Sequence, residues 1–188
     1  IRDNFFNKTG KEMSKCIVIV DEGHNLPKRA RSLLTQNLSS FSIRNAIKEA
    51  SKHNYPETAD YLRSLRDVFD RYKDEFIKKG QQQLGKKKFF GIDNERKVSK
   101  DEFMEKLKEV GEYDELIANF ELSAEEIREK QKRSYVGGIA NFILKWGGPD
   151  ESFSRILSFK EYKGKPVVTL SYKCLDPSII TKEIFESC

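Results

Sequence analysis

Nine residues near the start of the chain, Cys16 to His24, constrain the fold and the function more than any other stretch. They read CIVIVDEGH, five apolar and mostly β-branched residues that run into two acids, a glycine and a histidine. A short apolar run without polar alternation is typical of a strand buried on both faces, as in a parallel α/β sheet. Acids that follow such a strand lie at its carboxyl edge, where open α/β sheets bind ligands. The stretch therefore predicts a parallel-sheet strand that presents Asp21 and Glu22 to a ligand.

These residue types suit phosphoryl transfer, which needs a metal to neutralise charge and a positioned base. Asp21 is a candidate for holding the Mg²⁺ of a nucleotide, usually through water, and Glu22 for orienting and deprotonating the attacking water. Gly23 allows a tight turn, and His24 can exchange hydrogen-bond partners as the nucleotide state changes. The alternative interpretation is an ordinary core strand that leaves through an acidic turn, because short motifs often match by chance.

Length and composition bound the class of protein. A chain of 188 residues can form one or two domains with a real core, and 37% hydrophobic residues are too many for a disordered chain. The formal net charge of +5 is a mild bias toward polyanionic partners. Three widely spaced cysteines without a CxxC pair disfavour a disulfide framework, a zinc site or an iron–sulfur site made within the chain. No apolar run is long enough to span a bilayer, so no membrane contact is expected.

The stretch from about Ser40 to Trp146 has helical periodicity and predicts an all-α insertion. A long helix is expected over 57–79, with an apolar seam of Leu62, Leu65, Phe69, Tyr72 and Phe76. Gly111 is expected to break a later helix, and a capping box at Ser123 is expected to start another. A last helix is predicted with an apolar face of Tyr135, Ile139, Phe142, Ile143 and Trp146.

A basic loop interrupts the helical stretch between Gly80 and Lys100. It contains six lysines and arginines and two acids, so it carries 6 − 2 = +4 of the net charge. Lysines beside aromatic residues can hold phosphates and stack bases. The candidate nucleic-acid-binding residues are therefore Lys86, Lys87, Lys88, Phe89 and Phe90. The alternative is a solvated loop whose phenylalanines pin it to the helices.

The pattern becomes extended after the helices. Residues 154–162 and 166–172 are predicted as strands joined by a hairpin turn at Lys163-Gly164-Lys165. The segment YKCLDPS follows over Tyr172 to Ser178, and Asp176-Pro177 predicts a helix start.

Two segments of this chain resemble a known family. The tetrad DEGH resembles the DEAH box, motif II of superfamily 2 helicases, with Gly23 in place of the usual alanine. A VDEGHNL segment, a helical insertion and a YKCLDPS segment, in that order, resemble the XPD family of iron–sulfur DNA helicases. The compact insertion favours its archaeal members. The resemblance covers almost the whole chain, although the insertion, called the Arch domain in that family, matches by position and helical character alone.

The resemblance implies a fold and a division into domains. The fold would be an α/β motor-domain edge with parallel-sheet strands and a large, mostly α-helical insertion. Residues 1–39 would belong to the first motor domain, 40–150 to the Arch-like insertion, and 151–188 to strands and a helix that return to the motor.

The resemblance also implies an activity. Such proteins are ATP-dependent helicases that move 5′ to 3′ on single-stranded DNA, mostly in nucleotide excision repair. Asp21 would be the Mg²⁺-associated acid, Glu22 the catalytic base, and His24 the residue that couples hydrolysis to other motifs. ATP, Mg²⁺ and a 4Fe–4S cluster would be the cofactors. Partners would be single-stranded DNA, the other helicase domains and repair-complex proteins on the Arch, in the cytoplasm of an archaeon or the nucleus of a eukaryote.

Several family features are absent from this sequence. It has no GxxxxGK[ST] phosphate-binding loop, and the four cluster cysteines would lie upstream of Ile1. The second motor domain would follow Cys188. We therefore expect an excised or truncated piece of an enzyme that is inactive by itself. Two alternatives are a non-catalytic nucleic-acid-binding or partner-docking helical module, and a helical scaffold in which DEGH is coincidental.

Overall fold

The structure is a computed structural model that describes two long stretches of the chain. It covers residues 21–84 and 94–179 without a gap, with the backbone alone at 79–84 and at Asn94, and also Gly10, Lys15, Ile17, Ile19 and Lys182. The chain separates into two compact units. We call residues 1–35 with 174–188 the terminal unit, and residues 36–173 the central unit.

The described elements of the terminal unit's first segment are short. A single 3₁₀ turn, Gly23–Asn25, leads into helix α1 (Leu26–Leu34). Pro27 lies in the first turn of α1, where its missing N–H costs nothing.

The predicted buried strand is wrong in the part that the structure describes. Ile17 and Ile19 lie outside any strand, and their side chains are 93% and 88% exposed. Cys16, Val18 and Val20 lie outside the described residues. A strand buried on both faces needs neighbours that take up its backbone hydrogen bonds, and the described residues before Gln36 form no strand that could supply them.

The sheet of the protein is antiparallel, which corrects the prediction of parallel-sheet strands. Its order is β1–β4–β3–β2, with β1 at Gln36–Ser39, β2 at Asn94–Lys97, β3 at Phe153–Tyr162 and β4 at Lys165–Cys174. The physical reason is the connection between β3 and β4. Lys163 and Gly164 both have positive φ, the geometry of a two-residue hairpin turn, whereas a parallel pair needs a crossover of a dozen residues. The predicted hairpin is confirmed.

The burial pattern of strand β4 shows that one face of this sheet is covered. Val168, Leu170, Tyr172 and Cys174 are buried, and the residues between them are more exposed. This period-2 pattern is typical of an antiparallel sheet packed on one side.

Five helices are described in the central unit, so the predicted helical character of the stretch from about Ser40 to Trp146 is confirmed. The prediction that this stretch is all-α is wrong, because strand β2 lies within it and pairs with β3. The helices are α2 (Ser40–Lys52), α3 (Pro56–Leu84), α4 (Lys100–Lys108), α5 (Tyr113–Lys130) and α6 (Tyr135–Trp146). The side chains of Ser39, Ser99 and Ser134 each accept a hydrogen bond from a backbone N–H three residues later and so begin α2, α4 and α6.

The predicted apolar seam of α3 is confirmed, because all five of its residues are buried. Two neighbouring predictions are wrong. Tyr135 is 51% exposed and lies off the buried face of α6. Ser123 starts no helix, since α5 continues through it and its buried hydroxyl donates to the Phe120 carbonyl at 3.3 Å. A capping box needs a preceding break in the helix, and the chain has its break earlier, at Gly111 between α4 and α5.

Aromatic rings fill the core where α4, α6 and β3 meet. The Trp146 ring centroid lies 5.2 Å from that of Phe103 and 5.5 Å from that of Phe142. The Trp146 indole N–H donates to the Lys100 carbonyl at 3.2 Å, so the polar atom of this fully buried side chain has a partner.

The compact units divide the chain at other positions than the predicted 1–39, 40–150 and 151–188. Strands β3 and β4 belong, except for Cys174, with the helices of the central unit. The assignment of part of the chain to a helicase motor domain stays a prediction.

Candidate functional site

The DEGH tetrad forms one exposed turn at the start of α1. The Glu22 N–H donates to Oδ1 of Asp21 at 2.9 Å, and Glu22 has φ 53° and ψ 45°, in the left-handed region. The chain reverses there and enters the 3₁₀ turn. A short acidic side chain that accepts a nearby backbone N–H is a common way to hold such a turn.

The turn brings two of the predicted catalytic side chains into contact. Nδ1 of His24 lies 3.1 Å from Oε2 of Glu22, and these side chains are 73% and 67% exposed. An ion pair so open to water stabilises the fold by little, about 0–1 kcal/mol. The contact does set an orientation, since a carboxylate beside one ring nitrogen leaves the other to face a different partner.

Asp21 can serve a metal only with help from a ligand. One of its oxygens accepts the Glu22 N–H, and the other accepts from no donor among the described residues. Among the described residues, no group of three or more His, Cys, Asp and Glu side chains is placed to hold a metal ion. Mg²⁺ is commonly bound by one or two carboxylates together with substrate phosphates and waters, so this donor set fits a metal that arrives with a nucleotide.

The second recognisable segment, YKCLDPS, lies against the end of α1. The Cys174 N–H donates to Oγ1 of Thr35 at 3.2 Å, and Nη2 of Arg31 donates to the Leu175 carbonyl at 3.3 Å. The Cys174–Leu175 part of YKCLDPS is therefore in contact with the helix that follows the DEGH tetrad, within the terminal unit.

Local hydrogen bonds order the YKCLDPS segment itself. The buried Cys174 thiol donates to the Asp176 carbonyl at 3.1 Å, and desolvation raises the pKa of that thiol. The Ser178 N–H donates to Oδ1 of Asp176 at 2.9 Å, and hydrogen bonds from the Ser178 hydroxyl and N–H lower the pKa of the Asp176 carboxyl. Ser178 and Ile179 are helical, which confirms the predicted helix start.

The predicted basic loop is shorter than expected, because residues 80–84 continue helix α3 and Asn94–Lys97 form strand β2, which pairs with β3. Lys86, Lys87, Lys88, Phe89 and Phe90 lie outside the described residues. Their role in binding nucleic acid stays a prediction.

Sequence reasoning missed two buried charges of the central unit. Glu49, 7% exposed, accepts from Nε2 of Gln131 at 2.5 Å, from Oγ of Ser134 at 2.9 Å and from the Val136 N–H at 2.9 Å. The Glu49 carboxylate thus holds the first turn of α6, where the helix dipole favours an anion. No local signal marks it, because Glu49 lies about 85 residues from its partners in sequence.

The other missed charge is Arg155, which is 4% exposed. Its guanidinium donates to the carbonyls of Trp146 at 2.7 Å and Gly148 at 2.6 Å, pairs with Asp150, and lies 4.8 Å from the centroid of the Tyr172 ring. All three nitrogen atoms of its guanidinium donate inside the fold, so Arg155 joins the end of α6 to strand β3.

Comparisons with known proteins add one result. No model of a known protein family matches the sequence. A search of the described helices for one long and apolar enough to cross a bilayer finds none.

Proposed function

We propose that this chain is the part of an XPD-type, ATP-dependent 5′→3′ DNA helicase that carries the acidic motif and an inserted helical domain. Such an enzyme acts on single-stranded DNA in nucleotide excision repair. The proposal is supported by the order of the VDEGHNL and YKCLDPS segments in the sequence and by the contact between Thr35 and Cys174.

The observation that carries the proposal is the geometry of insertion. In the central unit, the first residue and the last but one are strand partners, since Gln36 of β1 pairs with Tyr172 of β4. In the terminal unit, the residues on either side of the insertion, Thr35 and Cys174, are hydrogen bonded. A domain whose two chain ends lie side by side can interrupt another domain without disturbing it. An Arch that interrupts a motor domain needs this arrangement.

The roles within the DEGH turn follow from its chemistry. Asp21 supplies a carboxylate for the Mg²⁺ of bound ATP, and that metal would neutralise charge on the phosphates. Glu22 orients and deprotonates the attacking water, and His24, in contact with Glu22, links that base to other motifs. A phosphate-cradling loop and the ligands of a 4Fe–4S cluster would come from other parts of the enzyme, so this chain alone should not hydrolyse ATP.

The decisive test is ATP hydrolysis by the complete helicase in the presence of single-stranded DNA. Glu22→Gln should lower kcat by at least 100-fold, because a general base contributes about 10²–10⁴-fold. Its stability should hardly change, because the side chain is 67% exposed. Glu161→Gln, an equally conservative change at an exposed position of β3, is the matched control and should keep full activity. Unchanged turnover in Glu22→Gln, or DNA-stimulated turnover by the present chain alone, would refute the proposal.

A non-catalytic binding or docking module is the second candidate function. The observation that favours it is the central unit, which has its own core of buried aromatic and aliphatic side chains. If the chain is such a module, its affinity for a partner or for nucleic acid should be unchanged in Glu22→Gln and in Asp21→Asn. Neither variant should lose any other activity.

A further inference from the structure

A basic pocket opens on the surface of the central unit between α2, α3 and β4. Its volume is about 180 Å³. Its lining contains four cations from three different elements, Arg44 on α2, Arg66 and Lys73 on α3, and Lys165 on β4. Asp70 is the acid among the lining residues. The lining thus carries 4 − 1 = +3 charges.

Two of these cations are already paired and two are not. Nη2 of Arg66 lies 3.0 Å from Oδ1 of Asp67, and Nζ of Lys73 lies 2.6 Å from Oδ1 of Asp70. Within the part of the chain that the structure describes, the exposed side chains of Arg44 and Lys165 have neither an acidic partner nor a hydrogen bond. Arg44 and Lys165 therefore carry the uncompensated positive charge of the pocket lining, and an anion between them would reduce their repulsion.

Part of the pocket lining is apolar and buried. Phe69 is 1% exposed and Val168 is 2% exposed, and Pro166 also lines the pocket. Ser40, also in the lining, accepts the Val168 N–H at 3.4 Å, and its hydroxyl can in turn donate to an anion. Arg44 and Lys165 are exposed, so their attraction for an anion is that of surface cations and weakens with salt.

We propose that this basic pocket binds a phosphate group, either of a nucleic-acid strand or of a small phosphorylated compound. A phosphate matches the pocket better than a carboxylate does. Its three outer oxygens can accept simultaneously from the planar fork of Arg44, from the ammonium of Lys165 and from the Ser40 hydroxyl. The lining residues all belong to the central unit, so the site does not depend on the helicase proposal or on the basic loop at 86–90.

The test uses the full chain and two probes. Inorganic phosphate is titrated while the backbone amide signals of Ser40, Arg44 and Val168 are followed by NMR. A fluorescent oligothymidylate is titrated by anisotropy at several salt concentrations. The pocket variant is Arg44→Gln/Lys165→Gln. The control variant, Lys108→Gln/Lys130→Gln, removes the same charge from exposed positions on α4 and α5.

We expect phosphate to shift the amide signals of the pocket in the wild type and in the control variant, and not in the pocket variant. If a nucleic-acid strand is the source of the phosphate, oligonucleotide affinity in the pocket variant falls roughly 25-fold at about 0.1 M salt. This follows from a loss of about 0.7 in the salt slope for each of two phosphate contacts. Amide shifts with phosphate and no oligonucleotide effect support the small-compound source. The proposal is overturned if phosphate shifts none of these signals, or if the pocket and control variants lose binding equally.

Discussion

In the terminal unit Ile17 and Ile19 are almost fully exposed, whereas in the central unit Trp146, Phe103 and Phe120 are fully buried. The sequences of the two units also differ in the kind of pattern that they contain. The DEGH tetrad and the CLDPS part of YKCLDPS are recognisable motifs and lie in the terminal unit, whereas the central unit has a dense core that its sequence marks by apolar periodicity. A core is specified by many side chains that each contribute a little, and a motif is specified by a few side chains whose chemistry matters.

The strongest test of this difference between the units is to truncate one large side chain in each of them. Trp146→Ala should lower the free energy of unfolding by about 3–5 kcal/mol, because it empties a site among Phe103, Phe142 and Arg155. Leu33→Ala on α1 is the matched control. Leu33 is 58% exposed, so this substitution should change the free energy of unfolding by less than about 0.5 kcal/mol. Urea unfolding followed by circular dichroism at 222 nm measures both. Equal losses would show that the terminal unit has a core comparable to that of the central unit.

Sequence patterns predicted the central unit's helices for the same physical reason that makes Trp146 important. The apolar seam residues of α3 recur at steps of three and four, which is the period of a helix. The structure buries all five of them, Leu62, Leu65, Phe69, Tyr72 and Phe76. The strand predicted over 16–20 is wrong at its two described residues, Ile17 and Ile19, because an apolar run shows only that residues avoid water. It does not show which neighbours supply the hydrogen bonds of a sheet.

A buried charge tests whether the central unit is also fixed by polar contacts. Glu49→Gln keeps the volume and replaces one accepting oxygen by an NH₂ group, which then faces a donor of Gln131 or of the α6 start. We expect a loss of about 2 kcal/mol, since a buried donor without its acceptor costs about 1–3 kcal/mol. Glu125→Gln on the exposed face of α5 is the control and should be neutral. A neutral Glu49→Gln would mean that α6 begins without this carboxylate.

Three glycines give smaller effects of different sign. Gly164→Ala should destabilise by about 1 kcal/mol, because its φ of +71° in the hairpin turn is strained for a side chain. Gly138→Ala should stabilise by about 0.5–1 kcal/mol, because it lies inside α6 with no atom near its Cβ position. Gly23→Ala, which turns the tetrad into DEAH, also has open space and should change stability by less than about 0.5 kcal/mol. Thermal unfolding of the three variants measures these shifts. A stabilised Gly164→Ala would contradict the hairpin geometry.

The sequence could predict only those contacts of the candidate site that join residues close together in the chain. Glu22 and His24 are two residues apart, and one turn is enough to join them. The contact between Thr35 and Cys174, and the pocket of Arg44 and Lys165, join residues more than 100 positions apart. Such pairs carry no local signal, since only the packed fold brings them together.

The smallest expected effect concerns Asp176, in the described part of the terminal unit's second stretch. The Ser178 hydroxyl and N–H lower the pKa of Asp176 in the folded protein, so the ionised form is favoured by folding. Their contribution to stability is therefore full above the unfolded pKa, about 3.9, and is lost as pH falls through the lower folded value. Ser178→Ala removes the hydroxyl, so the pKa of Asp176 should rise while the backbone N–H still keeps it below its usual value. An NMR titration of the Asp176 side-chain carbon measures this shift, and Ser32→Ala on α1 should leave it unchanged. If wild type and Ser178→Ala titrate alike, the turn at Asp176 is not ordered in solution. The YKCLDPS segment would then be as exposed as Ile17 and Ile19, and the contrast between the two units would be greater than the structure indicates.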